Sequence, residues 1–171
     1  MADIDKNQAV IDFLTTCPLL HGSVFFNFAT EKDNTVSIIT NTNDVATAKT
    51  YVDGTSLRIF SFTLINYKSL THNAIIKMSG YSNENVDELY DIQGVLNWIN
   101  EQAENRNFPN FGENCLIDSM QTMSDNPNFD GIDSSVAPPM ARYSVKVVIE
   151  YIDKTKQIYT GGNQNGILKS L

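Results

Sequence analysis

The stretch YVDGTSLRIFSFTLI, residues 51–65, restricts the fold more than any other part of the chain. Asp53-Gly54 is a tight-turn dipeptide, and the run after it alternates. Successive side chains of an extended backbone point to opposite faces. Arg58, Phe60, Phe62 and Leu64 therefore share one face, and Leu57, Ile59, Ser61, Thr63 and Ile65 the other. Both faces carry large apolar side chains, so both need cover. One cover can be the chain's own helices; the second is either more of this chain or another molecule. A later run, ARYSVKVVIEYI (141–152), places Tyr143, Val145, Val147, Ile149 and Tyr151 on one side. Arg142, Ser144, Lys146 and Glu150 fall on the other, the pattern of one buried and one solvated face.

The rest of the chain supplies the partners. A helix is expected over about residues 5–16, capped by Asp3 or Asp5, with Ile4, Ala9, Val10, Phe13 and Leu14 as its apolar face and Pro18 as its stop. SVFFNFAT (23–30) and TVSIIT (35–40) flank the polar EKDN, which predicts a hairpin joined by Phe26, Phe28, Val36 and Ile38. Residues 41–50 are polar and poorly periodic. Beyond the strand at 57–67, Leu70, Ala74, Ile75 and Met78 have helical spacing before a break at Gly80. The strongest helix runs from Val86 through Leu89, Ile92, Leu96, Ile99 and Ala103, with Asn83 or Asn85 as its cap, and Pro109 closes the region. CLIDSMQTMS (115–124) reads as a strand interrupted by Asp118 and Ser119, and 125–139 as a loop. Strands grouped together rather than interleaved one by one with helices imply an α+β fold, an antiparallel sheet with helices packed on one face. The expected organisation is a single domain over 1–152 and a polar, glycine-containing C-terminal arm over 153–171.

Composition excludes several functions. A net charge of −8 with only 12 lysines and arginines leaves no basic cluster with which to grip nucleic acid. No run of about 20 apolar residues exists to cross a membrane, and MADIDKNQAVIDF lacks the sections of a signal peptide. Cys17 and Cys115 have no metal or redox spacing and are read as reduced intracellular thiols. His21 and His72 have no ligand or catalytic neighbour at useful spacing. In GGNQNGILKS, Lys169-Ser170 does not directly follow Gly166, so the segment is not a phosphate loop. Asn126, Asn128, Asp130 and Gly131 match the start of a calcium loop, yet position twelve is Ala137 where a bidentate glutamate belongs. They are a weak metal candidate only. No catalytic residue and no cofactor follow from these residues.

Four stretches in order carry a resemblance: Val10 to Leu20, YVDGTSLRIFSFTL, VLNWINEQAENRNFPNF and ARYSVKVVIEYI. Together they resemble the tail terminators of phages and prophages of Gram-positive bacteria, sometimes labelled minor capsid proteins. The resemblance implies a non-enzymatic virion subunit, assembled in the bacterial host cytoplasm, that closes into a ring of six and caps the tail tube. It implies as partners further copies of the chain, the tail tube protein, and sheath and neck or head-completion proteins. The genome would pass through an acidic lumen without adhering. Arg58, the tip at Glu31, Lys32 and Asp33, and the loop residues Asp125, Asp130 and Asp133 are the interface candidates it suggests. A neck connector or tube-like subunit is the alternative, and a small ligand- or metal-binding domain a lesser one.

Overall fold

The computed structural model describes residues 5–20, 24–27, 35–40, 47–69 and 84–158, with the backbone alone at 24, 25, 35 and 84–91. The helix expected near 70–78, the tip at 31–34, Phe28, both histidines and residues 159–171 lie outside these limits. Within them the chain forms two helices, α1 (Lys6–Leu14) and α2 (Glu84–Glu104). Seven strands join one sheet: β1 (Val24–Phe26), β2 (Thr35–Thr40), β3 (Thr47–Thr50), β4 (Ser56–Ser69), β5 (Cys115–Thr122), β6 (Asn128–Asp133) and β7 (Met140–Asp153). The α+β class is as expected.

The sheet is built around its two long alternating runs. β4 and β7 pair antiparallel along their whole lengths, from Ser56 opposite Asp153 to Ser69 opposite Met140. Each then carries two shorter strands end to end on its outer edge. β2 lies along residues 62–67 of β4 and β3 along 56–58. β5 lies along 147–153 of β7 and β6 along 140–144.

Three expectations change. The segments at 23–30 and 35–40 do not form a hairpin, because β1 pairs with β2 in parallel, Val24 opposite Val36. Asn27 ends β1 at φ 49°, donating its N–H to the carbonyl of Ile38. Its Oδ1 accepts from both the N–H and the hydroxyl of Thr40. A polar tetrapeptide between two apolar runs suggested a tight reversal, but the asparagine takes a left-handed conformation that it tolerates well. Second, β3 forms in the polar stretch 41–50, where every residue of the strand is exposed and no alternation could have revealed it. Third, β6 occupies part of the presumed loop 125–139. Backbone pairing to β7 holds it, with a register shift between Phe129 and Gly131, the latter at φ 129°. A similar shift between Ile117 and Ser119 makes Asp118 the extra residue of β5, which is why it interrupts that strand's alternation.

Both described helices cover one face. Val10 and Leu14 of α1 and Ile92, Leu96 and Ile99 of α2 pack on Phe62, Leu64, Val145, Val147 and Ile149, all essentially inaccessible. Each such side chain contributes roughly 1.5–3 kcal/mol by leaving water. Asp5 caps α1, accepting from the N–H of Asn7. At the other end of α2, Arg106 at φ 55° closes a Schellman turn: Asn107 N–H donates to the carbonyl of Gln102, and Arg106 N–H to that of Ala103. Phe111, from the loop beyond, stacks edge-on against Phe60 and Tyr151 and plugs that end of the core.

The opposite face is uneven. At one end Ile65, Tyr67 and Met140 form a second buried cluster with Ile39 and Val136. At the other, Leu57, Ile59, Val148 and Ile152 are only half-buried and Leu116 is 54% exposed. The expected solvated face of β7 is therefore mixed: Arg142 is exposed, but Met140 and Ser144 are buried. The buried Ser144 hydroxyl is satisfied by donating to Asp130 of β6.

Candidate interaction surfaces

The 51–58 motif sits at one corner of the sheet, and most of it has an internal purpose. Asp53 Oδ1 accepts from the N–H and the hydroxyl of Thr55, holding the turn between β3 and β4. Those two bonds, the side-chain one foremost, lower the carboxyl below its ordinary range. Gly54 adopts φ 84°, and a Cβ there would stand 2.2 Å from the carbonyl oxygen of Lys156, so no other residue fits. The chain leaving β7 folds back onto this turn: Lys154 N–H donates to the carbonyl of Asn114, and Ile158 N–H to that of Asp53. Residues 153–158 of the expected arm thus pack on the domain.

Arg58 is the interface candidate that the structure engages most fully. Its Nε lies 3.2 Å from Oδ2 of Asp153 and both side chains are partly screened from water, although the N–H is not aligned for a hydrogen bond. Burial raises the Asp153 carboxyl, but hydrogen bonds from Thr155 and the charges of Arg58 and Lys6 outweigh it, and the net shift is downward. Tyr51 and Val52 have no comparable internal purpose. Val52 is fully exposed at 104%, Tyr51 carries Lys49 over its ring at 4.9 Å, and Ile158 stands exposed beside them.

The other candidates fall at the diagonally opposite corner or outside the described residues. Asp130 on β6 accepts from Ser144 and lies 3.4 Å from Nε of Arg142. Asp133 accepts from the N–H and hydroxyl of Ser135. Asp125 offers its carbonyl to the Gln93 side chain of α2. The three are not in one cluster. Asn128 and Asp130 lie on an extended strand, not in a loop wrapped around an ion, and Asp130 is already paired, so the calcium-like spacing builds no cage. Glu31, Lys32 and Asp33 lie outside the described residues. Beside Asp130 and Asp133 on β6, Phe129 and Ile132 are more than half exposed, although Phe129 touches the Tyr143 ring.

Cys17 is buried in the core, which pushes its thiol up and keeps it protonated, and Cys115 is half-buried; neither is in a disulfide. A groove of about 450 Å³ opens between α1 and the 108–110 loop, lined by Asp5, Asp12, Phe13 and Phe108. Its carboxylates are occupied, Asp5 as a helix cap and Asp12 by Gln8. Sequence reasoning missed Tyr51 and Val52, which stand before the turn and outside the alternating run, and Phe129 and Ile132, which lie in the segment read as a loop. No protein-family model matches the chain, and no curated protein matches it either.

Proposed function

We propose that this chain is a structural, ring-forming subunit of the tail-terminator kind, seated at the end of a phage tail tube. The observation that carries the reading is the uneven sheet: both described helices cover one face, while Leu57, Ile59, Val148, Ile152 and Leu116 leave an apolar strip on the other. An extended apolar strip with a polar surround suits a broad protein partner better than a small molecule, which needs concavity. Neighbouring copies and the tube beneath would supply the missing cover. The net charge of −8 is consistent with a conduit that nucleic acid crosses without sticking.

Electron microscopy of the purified chain mixed with tail tubes tests the reading. Rings capping tube ends, with tube growth arrested, are the expected result. Long tubes made of this chain alone would favour a tube-like subunit instead, and bare tube ends would overturn the proposal.

A further inference from the structure

Four outer strand edges, those of β1, β3, β5 and β6, have no strand beyond them among the described residues, and β3 and β6 lie at diagonally opposite corners of the sheet. β3 ends the β4 side at one corner, and β6 ends the β7 side at the other. An open edge is a template for pairing unless something covers it. Five of the eight large hydrophobic side chains that stand exposed among the described residues lie at these corners: Tyr51, Val52 and Ile158 at the first, Phe129 and Ile132 at the second. The charges are opposite. Lys49, Arg58, Lys154 and Lys156 lie about the first corner with Asp53 and Asp153, a positive excess, whereas Asp130 and Asp133 lie about the second with Arg142, a negative one.

We propose that β3 of one copy pairs with β6 of the next, a head-to-tail contact between copies of this chain; it rests on the ring reading above. Directions agree. β3 is antiparallel to β4 and β6 antiparallel to β7, while β4 and β7 are antiparallel to each other. Copies set side by side in the same orientation therefore bring β6 antiparallel to β3. With Lys49 set opposite Gly131 of the next copy, Lys49 shares a face with Asp133, Thr50 stands opposite Phe129, and Tyr51 and Val52 follow past the end of that pair. A contact of two different patches is heterologous, so it closes a ring when the rotation permits and otherwise extends a filament.

The registers also set a step size. β3 lies opposite Leu57 at Lys49, and β6 lies opposite Arg142, itself paired with Tyr67, at Gly131. For a flat sheet that stagger is about 33 Å along the strands and about 19 Å across four strand spacings, a step of about 38 Å. A closed ring with that step has its strands nearer the circumference than the ring axis, and six copies place their centres about 38 Å from that axis.

Cysteine pairing tests the contact, in a Cys115→Ser background. Thr50→Cys and Phe129→Cys alter exposed side chains that share one face and fall opposite each other when Lys49 is set against Gly131 of the next copy, so neither substitution should disturb folding. Under mild oxidation a mixture of the two variants is expected to give a disulfide-linked heterodimer, while each alone gives none. The charge reversal Lys49→Glu is expected to weaken self-association about tenfold or more, as measured by sedimentation. Linked homodimers from either variant alone, or oligomers that form with no cross-link in the mixture, would overturn this contact and leave the ring reading standing. A chain that stays monomeric at every concentration, with or without tubes, would overturn both.

Discussion

The two faces of the β4–β7 pair are made from the same two strands and have opposite fates. On one, Phe62, Leu64, Val145, Val147 and Ile149 are sealed by α1 and α2. On the other, Ile65, Tyr67 and Met140 are sealed at one end, and Leu57, Ile59, Val148 and Ile152 stay half-open at the other. Strand alternation specifies which residues share a face; it does not specify what covers that face. The first face belongs to the fold, and in the proposed ring the open end of the second would be covered by assembly.

Substitutions on the two faces should therefore separate stability from association. Phe62→Ala is expected to cost about 3–5 kcal/mol in urea unfolding of the monomer, the scale for an aromatic removed from a packed core. Ile59→Ala, facing the opposite way on the same strand, is expected to cost only about 1–2 kcal/mol while weakening self-association more than Phe62→Ala does at matched folded fraction. Equal monomer costs would mean that the chain itself seals both faces, and the comparison would fail. Acid titration sharpens the comparison at the first corner. Because Asp153 has a lowered carboxyl in the folded chain, it contributes stability above the ordinary carboxylate range, near pH 4. That contribution is lost as pH falls through the lower folded value. Asp153→Asn should remove this part of the acid-induced loss, giving a flatter stability profile below about pH 4.

Smaller effects are expected where local backbone or hydrogen-bonding geometry acts alone. Arg106→Gly relieves a left-handed residue at the end of α2 and is expected to add up to about 1 kcal/mol, less whatever the Arg106–Phe108 contact supplied. Ser37 lies on the second face, fully buried, with its hydroxyl unpartnered. Ser37→Ala is expected to be neutral or stabilising by under about 1 kcal/mol, because the hydroxyl has already lost its water.

The strands that form the centre of the sheet were legible in the sequence because alternation over a dozen residues admits few other folds. α1 and α2 were legible for the same reason, with apolar spacing near 3.6 and Asp5 as a cap. What escaped detection was held by tertiary pairing. β3 has no buried side chain, and β6 lies in a segment rich in Pro, Gly and Asp; both exist because β4 and β7 are longer than β2 and β5 and leave edge to be paired. β1 was misjudged because pairing direction depends on the connection, not on the strand. Arg58 was singled out as an interface residue, and the structure shows it engaged within the chain, against Asp153. The exposed residues beside it, Tyr51 and Val52, stand before the turn and outside the alternating run, so periodicity did not mark them.

Native mass spectrometry of the full-length chain across a wide concentration range, with and without assembled tail tubes, is the most direct test of the central claim that this domain completes its cover with copies of itself. The account predicts a closed oligomer of one defined stoichiometry, formed at high concentration or on contact with the tube. A single monomeric species under every condition would contradict it.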